Sequence, residues 1–130
     1  MTTRQTEPHA GLSARAVLVV EGADTALALG SGDVPVLGTP RLIALCEEAS
    51  TMAVAPGLPK GWTTVALRVQ FDHLVPISVG SRVVAEAVLD RVEGRRYVFK
   101  VTVTDDAGLV GAGRVTRVAV ERERFLARSR

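Results

Sequence analysis

The feature that most constrains the fold is a long alternation of apolar and polar residues, which fills the chain from residue 62 onward. In its first segment Val65, Leu67, Val69 and Phe71 alternate with polar neighbours such as Arg68, and this period of two predicts a strand with one apolar face. Three further strands are predicted near 81–92, 97–103 and 109–121. Glu93-Gly94 and the segment "DDAG" (105–108) supply turns between them.

The first half of the chain predicts one strand and one helix. A β-branched run, "ARAVLVV" (14–20), suits a strand, and the periodic segment from about 40 to 55 suits a helix that ends at Pro56-Gly57. Between them, residues 21–38 are rich in small residues, Gly, Asp and Pro, which predicts a loop or lid. One early helix followed by antiparallel strands indicates an α+β fold.

The length of 130 residues fits one domain. We expect a flexible lead-in over 1–13, a single domain over 14–126 and a short tail over 127–130. A helix of about 15 residues cannot cover both faces of a sheet this apolar, so a second subunit is expected to cover the other face or an edge. The sequence therefore predicts a homodimer or a larger homo-oligomer.

Two neighbouring glutamates interrupt the helical pattern in "VLGTPRLIALCEEAS". At 100° per residue the apolar face centres on Leu42, Cys46, Ala49 and Ala53. Glu48 falls on the far side and is expected to be solvated. Glu47 falls at the margin, where a carboxylate is partly desolvated and suited to acid–base chemistry. The pattern alone favours the plainer interpretation, in which Glu47 is a border residue that reaches water or an arginine.

Thr39 and Pro40 form a favourable start for the same helix. Thr is a good N-cap, and Pro at the first helical position loses no hydrogen bond, since it has no N–H. A helix N-terminus also offers N–H groups to an oxyanion or phosphate, so Thr39 can serve both roles. Of the two histidines, His9 lies in the lead-in and is expected to be inert, whereas His73 follows a strand and is either a surface residue or a functional one.

Composition and charge exclude several classes of protein. The net charge is +2, much of the basicity lies in "ERERFLARSR", and no basic region interleaved with aromatics suggests a nucleic-acid surface. The lone Cys46 permits no internal disulfide, and no apolar run reaches the length of a membrane span. Together with a polar N-terminus that lacks a signal peptide's apolar region, these features predict a soluble, cytoplasmic protein.

No cofactor or metal site is expected. Gly111-Ala112-Gly113 lies within a predicted strand, so it does not match a dinucleotide-binding loop and instead indicates a bulge or a close backbone contact. No Cys and His cluster has metal-binding spacing. Arg114 and Arg117 are candidates for binding the phosphates of a small ligand, although arginines on a strand face are more often simply solvated.

Three segments together resemble the hotdog-fold thioesterases, and among them the family of fluoroacetyl-CoA thioesterase. The resemblance covers about residues 14–126 and rests on "GTPRLIALCEEAS", "TTVALRVQFDHLVPISVGSRVVAEAVL" and "VEGRRYVFKVTVTDDAGLVGAGRVTRVAV". In that family a Thr begins the central helix, a Glu follows eight residues later, and a His stands seven residues before a Gly. Thr39, Glu47, His73 and Gly80 have this spacing.

The resemblance implies a long central helix wrapped by a curved antiparallel sheet, with active sites at a subunit interface. It implies that Thr39, Glu47 and His73 are catalytic and that Ala66 and Gly80 lie at the substrate. Two departures bear on specificity. Ala66 stands where the family often has Gly, and residues 25–38, "TALALGSGDVPVLG", contain no aromatic residue where the fluoroacetyl-specific enzyme has an aromatic lid.

The implied activity is hydrolysis of an acyl-CoA thioester to a free acid and coenzyme A, with an acyl group other than fluoroacetyl or with a broader range. Two alternatives remain open at this point. A hotdog protein can bind acyl-CoA without turnover, using the same pocket. Hotdog dehydratases also pair a His with a helix carboxylate, although the His-Phe-Pro-Gly-like stretch common among them is absent here.

Overall fold

The structure is a computed structural model that describes residues 7–130, so the first part of the expected lead-in lies outside the described residues. Strands and helices follow one another along the chain in an α+β order. They are β1 (Ser13–Val19), α1 (Ala26–Leu29), α2 (Thr39–Val54), β2 (Trp62–His73), β3 (Arg82–Glu93), β4 (Arg96–Asp105), β5 (Gly108–Glu121) and α3 (Arg122–Ala127). Single 3₁₀ turns at Gly22–Asp24 and Ala55–Gly57 precede α1 and follow α2.

One antiparallel sheet carries every strand, in the order β1-β3-β4-β5-β2. The four strands predicted after the helix are confirmed, each within two residues of its expected bounds. Strand β2 pairs with β5 on one side, and among residues 7–130 no strand pairs with its other side. This free edge is 12 residues long.

Helix α2 packs its apolar face against the sheet and forms the centre of the core. The predicted face is confirmed, because Leu42, Cys46 and Ala49 are almost wholly buried and Ala53 nearly so, with Leu45 beside them. The buried apolar sheet residues are mostly small or β-branched, and the larger ones among them are Leu89, Tyr97 and Phe99. Small side chains let the sheet curve closely around a single helix, and this compensates for the scarcity of aromatics.

A β-bulge in β2 overturns the predicted face of that strand. Ala66 pairs with Arg117 and Arg68 pairs with Thr116, so Leu67 is one extra residue without a partner. The prediction that Val65, Leu67, Val69 and Phe71 share one face is therefore wrong, because a single inserted residue reverses the alternation. The side toward the helix carries Thr64 and Ala66 before the bulge, and Val69, Phe71 and His73 after it.

Two glycines of β5 allow β2 to approach closely. A Cβ atom on Gly111 would meet the Phe71 ring and the Asp72 carbonyl, and one on Gly113 would overlap the Gln70 carbonyl. The expectation that this glycine pair marks a close backbone contact is confirmed. The glycines thereby bring the end of β2, with His73, against the sheet.

The lid segment, residues 21–38, is more ordered than a simple loop. It contains a 3₁₀ turn and the short helix α1, which ends at Gly30 with φ of 73°. The lid closes on itself through the bond from the Ala26 N–H to the Val36 carbonyl (2.8 Å), and the Arg41–Asp24 ion pair (3.2 Å) attaches it to α2. Within residues 7–130 no helix is long and apolar enough to span a bilayer.

Candidate active site

Thr39 and His73 meet at the N-terminal end of α2. Thr39 is the first residue of the helix, and His73 is the last residue of β2. Their side chains are joined by a 2.8 Å hydrogen bond between Thr39 Oγ1 and His73 Nδ1. Thr39 and His73 are 34 positions apart in sequence, and they meet because the sheet curves around the helix.

The prediction that Thr39 is the N-cap is wrong. Gly38 occupies the N-cap, and Thr39 and Pro40 are the first two helical residues. Glycine is favoured there, because a Cβ would lie 3.1 Å and 3.2 Å from the N and Cα atoms of Ala26, which is a tight approach. Since the Gly38 carbonyl accepts the N–H groups of Arg41 and Leu42, and Pro40 has none, the N–H of Thr39 is the open amide of this first turn.

A cleft of about 290 Å³ opens beside this pair and is called the lid cleft here. Its walls come from the lid segment and from the loop after β2. Apart from Thr39, Pro40 and His73, the lining residues are Ala26, Ser31, Val34, Val36, Leu37, Leu74, Val75 and Pro76. The lining is thus apolar except at the Thr39–His73 end and at Ser31, which suits a small apolar ligand held by a few polar groups.

His73 carries an unused polar atom. Its Nε2 atom is buried and has no hydrogen-bond partner within residues 7–130, whereas Nδ1 is bonded to Thr39. A buried polar atom without a partner costs free energy, so such atoms tend to be reserved for water or a ligand. If the Thr39 hydroxyl donates to Nδ1, then Nε2 carries the ring proton and is a donor.

Glu47 belongs to a second cluster, farther along α2. Its Oε1 atom accepts a 2.8 Å hydrogen bond from Arg117 Nη1, and no residue within 7–130 forms a hydrogen bond or ion pair with Oε2. The Glu47 side chain is 33% exposed, whereas that of Arg117 is only 9% exposed. The predicted position of Glu47 at the margin of the apolar face is confirmed, and so is the exposure of Glu48.

Thr64 holds the Arg117 guanidinium on the side away from Glu47. Arg117 Nε donates to Thr64 Oγ1 and Nη2 donates to the Thr64 carbonyl, both at 2.9 Å. The rigid fork of a guanidinium leaves Nη1 aimed at Glu47. Sequence reasoning missed Thr64 altogether, because a Thr in a strand has an ordinary structural explanation.

Of the other candidate residues, Ala66 lies beside the Glu47 cluster, whereas Arg114 and Gly80 lie apart from both clusters. Ala66 is exposed and directly opposite Arg117, so its methyl group borders the Glu47 cluster. Arg114 lies on the outer face, where it donates a 3.1 Å bond to Asp90 and thereby holds the pKa of that carboxyl below its usual range. Gly80 lies in the turn before β3, where a φ of 93° favours glycine.

The two clusters are separate within one chain. Eight residues divide Thr39 from Glu47, which at 1.5 Å per residue places them about 12 Å apart along α2. The structure therefore brings Thr39 to His73, and Glu47 to Arg117, without bringing the two pairs into contact. Within residues 7–130 no three His, Cys, Asp or Glu side chains converge in a way that would hold a metal ion.

This architecture defines the class of the protein. A curled antiparallel sheet around one central helix is the hotdog fold, and solved hotdog structures superimpose on most of the chain. The hot-dog-like protein from Thermanaerovibrio acidaminovorans matches with a TM-score of 0.85 and 25% identity, covering 98% of this chain and 94% of its own. The fluoroacetyl-CoA-specific thioesterase FlK matches with a TM-score of 0.86 and 26% identity, covering 92% and 93% respectively.

Sequence comparison gives the family. The family described as fluoroacetyl-CoA-specific thioesterase matches residues 20–123. The fluoroacetyl-CoA thioesterase of Streptantibioticus cattleyicolor is 30% identical over 95 residues, which are 73% of this chain and 68% of that protein. The chain belongs to this family of hotdog thioesterases and is, as a member, an acyl-CoA thioesterase.

Proposed function

We propose that the enzyme hydrolyses an acyl-CoA whose acyl group is apolar and enters the lid cleft. The observation that carries this proposal is that His73 lines the apolar lid cleft and has a buried Nε2 atom without a partner within residues 7–130. Val34 and Val36 stand in the lid where the sequence has no aromatic residue, and Ala66 adds a methyl group beside Glu47. These residues favour a substrate other than the small, polar fluoroacetyl group.

The proposed mechanism assigns one step to each residue. The open N–H of Thr39 donates to the thioester carbonyl as negative charge develops on its oxygen. The free Oε2 atom of Glu47 takes a proton from water, and the resulting hydroxide adds to the carbonyl carbon. As the C–S bond breaks, the His73 Nε2–H donates a hydrogen bond to the thiolate of coenzyme A, and Thr39 holds the ring through Nδ1. The proton taken up by Glu47 then passes to the thiolate or to solvent, which restores the carboxylate.

Glu47 can alternatively act as a nucleophile. In that case Oε2 attacks the carbonyl, the thiolate leaves, and water then hydrolyses the acyl anhydride. Label in the Glu47 carboxylate after a single turnover in ¹⁸O-labelled water establishes the nucleophilic role, because only attack of water on the Glu47 carbon of the anhydride places it there. Mass spectrometry of the peptide that contains Glu47 reads the result.

We further propose that the complete site is shared between two subunits of a homodimer. The free edge of β2 can pair with the same edge of a second copy about a two-fold axis. An axis between Val69 and Gln70 would pair Ala66 of one strand with His73 of the other. The Glu47–Arg117 cluster of one subunit then faces the Thr39–His73 pair of its partner, which closes the 12 Å gap estimated from the helical rise.

The proposal includes two broader assignments. Residues 14–126 form a single hotdog domain, which is supported by the inclusion of all five strands in one sheet. The enzyme is cytoplasmic. This assignment is supported by the free thiol of the buried Cys46, because the reducing cytoplasm keeps cysteines as thiols.

A panel of acyl-CoAs with a thiol-detecting reagent tests the proposed function. Straight and branched aliphatic acyl-CoAs are expected to release thiol faster than fluoroacetyl-CoA. Cys46 contributes no background, because burial, assisted by the charge of Glu47, raises its pKa to about 12. Thiol release from none of the panel, together with acyl-CoA binding in calorimetry, would identify a binding protein without turnover.

A further inference from the structure

A second cavity lies at the end of the sheet opposite His73. It has a volume of about 160 Å³ and lies between the start of β2, the end of β5 and helix α3. Its wall combines two aromatic rings, Trp62 and Phe125, with three arginines, Arg95, Arg124 and Arg128. None of these residues belongs to the two clusters described above.

The arginines of this cavity have no electrostatic partner in the part of the chain that the structure describes. Within residues 7–130, the Arg95, Arg124 and Arg128 side chains form no ion pair and no side-chain hydrogen bond, in contrast to Arg114 and Arg117. The one carboxylate on the wall, Glu121, accepts the Arg124 N–H at 3.0 Å and thus caps α3. Three guanidinium groups and one carboxylate leave the cavity with a formal charge of +2.

The backbone holds the cavity wall in place. The Ala119 N–H donates to the Arg95 carbonyl at 2.8 Å, which anchors the turn between β3 and β4 to β5. The Arg122 N–H donates to the Gly61 carbonyl at 2.9 Å, which anchors α3 to the start of β2. Trp62 is half-buried against the core, so its ring is fixed while one part stays accessible.

Aromatic rings beside unpaired arginines suit a phosphorylated purine. A base stacks on an aromatic ring, and guanidinium groups bind phosphate oxygens with two parallel hydrogen bonds. The nucleotide half of coenzyme A carries an adenine, a 3′-phosphate and a pyrophosphate. It therefore offers the two kinds of group that the cavity can bind.

The distance to the Glu47 cluster matches the reach of the pantetheine arm. Trp62, Thr64 and Ala66 point to the same side of β2, and Ala66 is opposite Arg117. Four residues at about 3.3 Å each place Trp62 about 13 Å from Ala66 along the strand. The pantetheine arm has roughly thirteen bonds between sulfur and pyrophosphate, and at the rise per bond of an extended peptide it spans about 15 Å.

We propose that the cavity formed by Trp62, Arg95, Arg124, Phe125 and Arg128 binds the phosphoadenosine half of coenzyme A. The inference rests on the proposed function, because it assumes that the bound ligand is the acyl-CoA whose thioester lies at the Glu47 cluster. It replaces Arg114 and Arg117 as the phosphate-binding residues, since both of these are already paired with carboxylates.

Fluorescence of Trp62 tests binding independently of catalysis, because Trp62 is the only tryptophan of the chain. Adenosine 3′,5′-bisphosphate is expected to quench this fluorescence in a saturable manner. The double variant Arg124→Gln/Arg128→Gln should weaken the apparent affinity by at least about tenfold. Arg82→Gln, which removes an equal charge per substitution from the opposite end of the sheet, should leave the affinity unchanged.

Kinetics supply the second test. Arg124→Gln/Arg128→Gln should raise KM for acyl-CoA by about tenfold or more with kcat nearly unchanged, and should not change kcat/KM for the matching S-acyl-pantetheine, which lacks the nucleotide. Equal losses on both substrates, or quenching that persists in the double variant, would overturn the inference. Saturable quenching in a protein that hydrolyses no acyl-CoA would instead refute the proposed function and leave the nucleotide site standing.

Discussion

Arg117 of the sheet and Glu47 of the central helix form an ion pair across 2.8 Å, although 70 residues separate them in the chain. The arginine is almost wholly buried and is also bonded twice to Thr64. A guanidinium fixed in this way restricts the Glu47 carboxylate to one orientation. Because Arg117 uses Oε1, the geometry leaves Oε2 as the atom available for chemistry.

A double-mutant cycle tests whether Arg117 acts through Glu47. Arg117→Lys keeps the positive charge but loses the fork, so kcat should fall by about tenfold or more, while KM changes little. In the Glu47→Gln background the same substitution should cost almost nothing further, since the oriented carboxylate is already gone. Additive losses in the cycle would show that Arg117 acts independently of Glu47.

The stability of these variants needs a matched control. Replacing one partner of a buried, hydrogen-bonded pair costs about 1–3 kcal/mol, and Arg117→Lys should therefore lower the melting temperature. Arg114→Lys makes the same substitution three residues earlier in β5, where Arg114 forms an exposed pair with Asp90. It should change the melting temperature little.

Glu47 and its neighbour Glu48 provide a comparison within one helix. Glu47→Gln keeps the shape and removes the ionisable group, and it should lower turnover by roughly a hundredfold or more. Glu48→Gln should leave turnover almost unchanged, because Glu48 is exposed on the far side of α2. Steady-state rates with the best acyl-CoA of the panel measure both effects. Similar losses in the two variants would contradict the assignment of Glu47.

The sequence predicts the fold well where periodicity is strong. The apolar face of α2, from Leu42 to Ala53, follows the helical period, and burial at those positions matches it. The strand β2 shows where periodicity fails. Leu67 reads as one more apolar residue in a regular alternation, yet it is the extra residue of a bulge. A bulge depends on pairing with β5, which a single segment does not encode.

Helical periodicity also allowed part of the candidate site to be predicted. Helical phase alone places Glu47 at the margin of the core and Glu48 in solvent. The partners of these residues are set by tertiary contacts, so neither the Arg117–Thr64 bonds nor the Thr39–His73 bond follows from local pattern. The N-cap at Gly38 also escaped prediction, because the close approach of Ala26 from the lid, which favours glycine at this position, is a tertiary contact.

Thr39 can now be tested as a partner of His73 rather than as a cap. Thr39→Val keeps the volume but removes the hydroxyl, so the His73 ring loses its only side-chain bond within residues 7–130. Turnover should fall by about tenfold or more, and the loss of one hydrogen bond should cost about 1 kcal/mol of stability. Thr39→Ser keeps the hydroxyl and should retain most activity. Equal activity in the Val and Ser variants would leave the hydroxyl without a catalytic role.

Mixing two inactive variants tests whether the site is shared between subunits. A Glu47→Gln protein lacks the carboxylate, and a His73→Asn protein lacks the imidazole, so each homodimer should be nearly inactive. If each site takes Glu47 from one subunit and His73 from its partner, every mixed dimer contains one site with both defects and one with neither.

Equal mixing and random re-association in a two-fold dimer should then restore roughly a quarter of wild-type activity, since about half of the dimers are mixed and each has one intact site of two. Sedimentation at micromolar concentration first establishes that each variant is dimeric, and mild denaturation followed by refolding allows exchange. A mixture of separately refolded variants, which cannot exchange, serves as the control and should stay inactive. If the site lies within one subunit, no mixed dimer contains a complete set of residues, and the refolded mixture stays as inactive as its parents.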